Sequence, residues 1–190
     1  MKILKFLIIF FLILCFENVA KTFEIKNLAS INNKTITNVD LYQEIQIREL
    51  LDNVKINKSD HSFILQQMIG EKIKKIETDA NKIEVSNDII NRQFNSLKKE
   101  KLNDKKFSKT LEKAIILKIE STYKWNKLIG LKYNNKLTVN IDEIEEIMKS
   151  KKIPEDKRDQ IIQIEKNKKL NTFSKTHFNK VKKKYLVKKY

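Results

Sequence analysis

Cysteine occurs once in these 190 residues, proline once and glycine twice. The single thiol is Cys15, so the chain beyond its first twenty residues has no disulfide, no thiolate metal ligand and no thiol nucleophile. Stability must come from packing. Glycine supplies the positive-φ turns of hairpins and the tight loops that cradle phosphates. With only Gly70 and Gly130, a β-sandwich, a barrel or a nucleotide-binding α/β fold is excluded, and a mainly helical chain is the economical reading. Arginine is scarce too: Arg48, Arg92 and Arg158 stand against 37 lysines. Nucleic-acid interfaces favour arginine forks and stacked aromatics, and neither is prominent here.

Two histidines, His61 and His177, lie far apart in the sequence, and no HExxH, GxSxG or GxxxxGK[ST] pattern occurs. The acid pairs Asp142-Glu143 and Glu145-Glu146 fall where a helix begins, and acids there complement the helix dipole. Ser62, Ser86 and Ser108 have the setting of helix caps rather than nucleophiles. No catalytic site, metal site or cofactor is expected.

What is present begins with the N-terminus. Lys2 and Lys5 precede an unbroken apolar run, Phe6–Phe16, and a short polar stretch ends at Ala20. That layout is a secretory signal peptide over residues 1–20. A spanning helix needs about 20 apolar residues, more than this run holds. Asn18, which sits where a small residue is usual ahead of a cleavage site, leaves an uncleaved anchor open, and Cys15 leaves a lipidated cysteine open. An exported chain works without an ATP pool.

The net charge is +16 and lopsided: residues 151–190 hold 14 basic and four acidic side chains. Such a tail is a solvated lysine-rich helix face or a surface for anionic lipid, nucleic acid or an acidic partner. Isoleucine, asparagine and lysine abound while alanine occurs four times, as in the products of AT-rich genomes.

Along the chain, Phe23–Ile31 alternates and predicts a strand; Asn32-Asn33-Lys34 predicts a turn, and Thr35-Ile36 a short return strand. Thr37-Asn38-Val39-Asp40 has the form of a capping box. A first helix is expected over Asn38–Val54, with Leu41, Ile45, Leu50 and Leu51 inward. A second, capped by Asp60 or Ser62, spans Ser62–Asn81, with Leu65, Met68, Ile69, Ile73, Ile76 and Ala80 as its stripe. Gly70 inside that stripe costs about 1 kcal/mol against alanine and points to a close crossing. Ser86 caps a third helix over Asn87–Lys99, with Ile89, Ile90, Phe94 and Leu97 inward. Leu102–Lys105 reads as a polar link. The longest helix is placed at Phe107–Leu131, with Gly130 at its end, and a short one at Ile141–Ser150. Pro154 marks a boundary before a last helix over Glu155–Lys184, whose face is Leu170, Phe173, His177 and Val181. Tyr185-Leu186-Val187 closes the chain as a strand. The organisation is thus residues 1–20, 21–150 and 151–190, the last packing back on the same module.

In their order, several of these segments resemble the SurA-type periplasmic chaperones: Ile31–Leu41 as the opening strand, turn and helix start; Leu65–Ile73 as the second helix; Val85–Ile90 as the next helix start; Leu137–Val139 as the passage out of the core; and Gln160 to Val187 as the returning C-terminal helix and strand. The turn departs from the family pattern in having Asn33 where glycine is frequent, and the link after the third helix is short. Family members commonly carry parvulin prolyl-isomerase domains before the last helix. Such a domain needs roughly 90–100 residues, and the few residues between Ser150 and the last helix leave no room for it.

The resemblance implies a multi-helix chaperone domain with a short N-terminal hairpin and a returning C-terminal helix and strand. It implies a periplasmic, ATP-independent, non-enzymatic binder of unfolded outer-membrane proteins or other extended polypeptides, without isomerase activity. Nucleic-acid binding and stable membrane insertion after leader cleavage are not expected. Methionine and aromatics suit promiscuous contacts, which makes Tyr42, Met68, Phe94, Tyr123 and Trp125 the candidate client surface; ordinary core packing is the commoner use of each. The alternative is a basic exported protein that holds anionic lipid or nucleic acid through its lysine-rich C-terminal helix.

Overall fold

The computed structural model describes residues 24–103 and 105–190. The signal-peptide reading of residues 1–20, and Phe23 as the start of a strand, lie outside the described residues. What is described is mainly helical, with one small antiparallel sheet. Among the described residues no helix is long and apolar enough to cross a membrane.

The hairpin pairs β1 (Asn27–Ile31) with β2 (Lys34–Thr37). Its turn places Asn32 at φ 49°. Asparagine tolerates that left-handed conformation because its short side chain bonds locally. The residue standing in for glycine is thus Asn32, one position before the Asn33 expected. Immediately after β2 the capping box forms as read from the sequence. Thr37 Oγ1 accepts from the Asp40 N–H at 3.2 Å, and Asp40 Oδ2 accepts from the Thr37 N–H at 2.8 Å. Two of the four donors a helix start leaves free are satisfied together.

The helices are α1 (Asn38–Asp52), α2 (His61–Ala80), α3 (Asn87–Leu97), α4 (Lys109–Tyr133), α5 (Ile141–Ser150) and α6 (Arg158–Val181). Ser86, Ser108 and Asn140 each accept from a backbone N–H of the first turn of the helix that follows. Ser62 does not cap; it lies inside α2, whose N-cap position, Asp60, makes no side-chain bond. α1 stops at Asn53, which takes φ 54°.

Other expectations need correction too. Ile89, expected inward on α3, is exposed. Leu102 is no part of a polar link: a single π-helical turn, Lys98–Leu102, extends α3 and swings Leu102 into a core, where it is 1% exposed. Gly130 does not end α4, which runs on to Tyr133. On α1 the fully buried positions are Glu44, Ile45 and Ile47, with Leu41, Leu50 and Leu51 only half-buried. On α2 Ala80 is exposed, while Ile64, Glu77 and Thr78 are buried.

Two apolar cores result. The first joins Ala29 and Ile31 of β1, Ile36 of β2, Ile69 and Ile73 of α2, Trp125, Leu128 and Ile129 of α4, and Val181 of α6. The second joins Ile47, Phe94, Leu102 and Ile115. The chain then returns to its beginning. β3 (Val187–Lys189) pairs antiparallel with β1, giving the sheet order β2-β1-β3. The closing strand therefore lies two residues later than Tyr185-Leu186-Val187. Gly70 has a packing reason: a Cβ there would stand 3.3 Å from Cζ of Phe178 on α6. The close approach is a helix against an aromatic ring.

Candidate functional site

A cleft of about 500 Å³ opens between α1, α2 and α4, with Ile36 of β2 and Asn171 and Ser174 of α6 also on its walls. The three- and four-residue spacing of α1 puts Asp40, Glu44 and Ile47 on its cleft face. α2 contributes Met68, Glu71, Lys72 and Lys75, and α4 contributes Ala114, Leu117, Lys118 and Trp125.

Its polar centre is Glu44, whose side chain is 8% exposed. A carboxylate withdrawn from water needs compensation, and Glu44 Oε1 accepts from Arg48 Nε and from Lys118 Nζ, both at 2.6 Å. Arg48 Nη1 also donates to Gln67 Oε1 at 2.6 Å, and Lys118 reaches Glu71 Oε2 at 3.4 Å. One network thus ties three helices across the cleft and fixes its width. At the other side Trp125 donates its indole N–H to Ser174 Oγ at 2.7 Å, while Lys74 Nζ lies 5.6 Å from the ring centroid. The exposed apolar group offered to a visitor is Leu117, on the rim of the cleft.

The five residues expected to bind client do not converge. Met68, half-buried, and Trp125 meet at the cleft, although Trp125 is 3% exposed and belongs to the first core. Phe94 is buried in the second core and offers no surface. Tyr123 bridges α4 to α3, its hydroxyl donating to Gln93 Oε1 at 3.1 Å. Tyr42 is well exposed on α1 but does not line the cleft. The residues missed are Glu44, Arg48, Glu71, Leu117 and Lys118. Glu44 and Arg48 were visible as an i,i+4 ion pair; Lys118 joins them only through the fold.

A second polar cluster fastens the C-terminus. Tyr185 donates to Glu77 Oε2 at 2.8 Å, and Lys184 lies 3.5 Å from Glu77 Oε1. Burial pushes the Glu77 carboxyl up, but the Tyr185 hydrogen bond and the Lys184 charge outweigh it and hold the group below its ordinary value. Burial and the bond to Glu77 push the Tyr185 hydroxyl up to about 12. Nearby, His177 packs between Trp125 and Tyr133, with Nδ1 3.2 Å from the Tyr133 hydroxyl and, among the described residues, no partner for Nε2. Burial first, then the Lys132 charge, lowers its pKa. An unpaired ring nitrogen among aromatics is a neutral packing group. Of the acids weighed above, Glu145 accepts from Arg158 at 2.9 Å across α5 and α6, an exposed ion pair.

Among the described residues no group of three or more His, Cys, Asp or Glu side chains is placed to hold a metal. The cleft presents apolar groups from Leu117 and Met68, side-chain amides from Gln43, Asn126 and Asn171, and lysines along its α2 wall. No protein-family model matches the chain, and no curated protein matches it.

Proposed function

We propose that the protein is an exported, ATP-independent chaperone of the SurA N-terminal type that lacks a prolyl-isomerase domain and holds unfolded outer-membrane proteins, or other extended polypeptides, in the periplasm. The observation that carries this reading is the return of the C-terminal strand onto β1, with Val181 of α6 joining the core beneath it. The resemblance in the sequence implied that return, and it makes a closed module of a chain with no second domain inserted before the last helix. The cleft supports a passive holding role. It is open, mixed in polarity and rimmed by the exposed Leu117, so contacts with a client are weak, multiple and reversible, and release needs no nucleotide.

The test is an aggregation assay. The chain lacking residues 1–20 slows the aggregation of a urea-unfolded outer-membrane porin at equimolar ratio, and it leaves the cis–trans rate of a proline peptide unchanged. Leu117→Asp weakens the holding, because it puts a charge where the client's apolar side chains dock. Unchecked porin aggregation in the presence of the wild-type chain sinks the proposal.

One observation favours a second reading. Lys182, Lys183, Lys184, Lys188 and Lys189 are all exposed near the C-terminus, a cluster that suits an anionic surface. Binding to anionic vesicles that collapses as salt is raised, with no effect on porin aggregation, selects that reading instead.

A further inference from the structure

β3 is an edge strand, and its outer edge is unoccupied among the described residues. Its inner edge is accounted for. The Asn32 N–H donates to the Leu186 carbonyl at 2.9 Å, the Tyr190 N–H donates to the Leu28 carbonyl at 3.1 Å, and Lys188 stands opposite Ser30. Antiparallel strands alternate the direction of their backbone groups, so the N–H and C=O of Val187 and Lys189 point away from β1. Side chains alternate as well. Val187 faces Ile31 and Lys189 faces Ala29 across the ladder. Both β1 residues are buried in the first core, so Val187 and Lys189 lie on that same face of the sheet.

On that face, beyond β3, lies a groove of about 720 Å³ walled by Gln66, Ile69, Gly70, Phe178 and Val187. It occupies the space into which the inward side chains of one more strand would point. Gly70 helps keep it open, since a Cβ there would press on the Phe178 ring that forms its wall. Three lysines, Lys74, Lys182 and Lys189, line the groove against one acid, Glu71, and Glu71 already has Lys118 within 3.4 Å.

We propose that an extended polypeptide segment flanked by acidic residues adds to β3 as a fourth strand, with its alternate apolar side chains in this groove. The inference rests on the chaperone reading for the nature of the ligand, an unfolded chain, and adds a backbone-directed mode of holding to it. Main-chain hydrogen bonds supply affinity without regard to sequence, and the groove and lysines supply the preference. A second copy of this chain is the poorer occupant: pairing β3 with β3 sets lysine strands against each other.

The test is fluorescence anisotropy with the full chain and a labelled short peptide of alternating valine and threonine with aspartates at both ends. Two control peptides are the same sequence N-methylated at alternate backbone nitrogens and the same sequence with lysine ends. Each control binds at least about tenfold more weakly, the worth of one or two hydrogen bonds or ion pairs. Val187→Pro removes an outward N–H while the inward ladder keeps its donors, and weakens binding of the parent peptide to a similar degree. The double variant Lys182→Glu, Lys189→Glu disturbs no backbone bond and should weaken it as well. Absence of binding, or equal binding of the parent and N-methylated peptides, overturns the proposal. The porin assay separates the two ideas. A wild-type chain that holds porin but binds no acidic peptide refutes the edge alone, and one that binds the peptide but never slows aggregation refutes the chaperone reading alone.

Discussion

The two cores share one helix and little else. The N-terminal half of α4 gives Ile115 to the second core, and its C-terminal half gives Trp125, Leu128 and Ile129 to the first. The second core draws on α1, α3 with its π-helical turn, and α4, and a side-chain bond borders it, Lys105 Nζ donating to the Leu50 carbonyl. The first gathers both ends of the described chain, Ala29 and Ile31 with Val181, and is flanked by directional bonds: Trp125 to Ser174, Tyr133 to His177, Tyr185 to Glu77. Hydrophobic burial is non-directional. It suffices where short connections already restrict the geometry, as between α3 and α4. A three-residue strand arriving from the far end of the chain has no such restriction, and a slip of one residue would turn its side chains to the wrong face. The bonds at Tyr185, at Leu186 with Asn32, and at Tyr190 with Leu28 and Ser30 specify its register.

The largest effect that tests this contrast comes from emptying each core in turn. Trp125→Ala should cost about 3–5 kcal/mol in a urea melt, and Leu102→Ala about 2–5 kcal/mol. The sharper reading is amide hydrogen exchange at Lys188 and Tyr190. Trp125→Ala removes the partner of Ser174 and the packing around His177, so tail protection falls with it. Leu102→Ala should leave tail protection near the wild-type level while α3 exchanges faster. Equal loss of tail protection in both variants would make the two cores a single cooperative unit and end the distinction.

The local devices of this fold were legible in the sequence and the long-range ones mostly were not. Thr37 with Asp40, and Ser86 and Ser108 as caps, depend on three or four consecutive residues, and each forms where the pattern put it. The expected face of α6, Leu170, Phe173, His177 and Val181, does turn inward because its helical spacing is regular, but Phe178 packs against the same core from beside that face. Leu102 was lost because it sits among Lys101, Asn103 and Lys105, and only the wider π-helical turn rotates it inward. Glu44 and Glu77 were lost because a carboxylate is an expected surface group until the fold brings Lys118, or Tyr185 and Lys184, to meet it. Of the expected client residues, Phe94 and Trp125 show the ambiguity of aromatics: their size suits a sticky surface and a core equally, and composition cannot choose.

A smaller effect sharpens the role of Tyr185. Tyr185→Phe keeps the ring but leaves the Glu77 carboxylate with Lys184 alone, at a cost of about 1–3 kcal/mol near neutral pH. The pH profile carries the diagnostic sign. The hydroxyl titrates near 10 in the unfolded chain and is pushed up to about 12 in the fold. Above pH 10 the unfolded state loses its proton first, so this group's contribution to stability declines as pH rises from 10 towards 12. Urea midpoints of the wild type fall across that window more steeply than those of Tyr185→Phe, so the gap between them narrows. A gap constant from pH 8 to pH 12 would mean that the hydroxyl does not meet Glu77 in solution.

The smallest effect separates the two glycines. Both lie inside helices and both carry the entropic cost of glycine there. At Gly130 a Cβ would meet nothing within 4 Å, so Gly130→Ala should stabilise the protein by about 0.5–1 kcal/mol, the full helix-propensity gain. At Gly70 the same methyl stands 3.3 Å from Phe178 Cζ. The ring must move by a few tenths of an ångström, and it is wedged by contacts from α6 to the first core. Gly70→Ala should therefore gain less than Gly130→Ala or lose stability outright. Equal gains at the two positions would show that Phe178 is free to give way, and that the α2–α6 contact is looser than the packing around Trp125 on the other side of the same core.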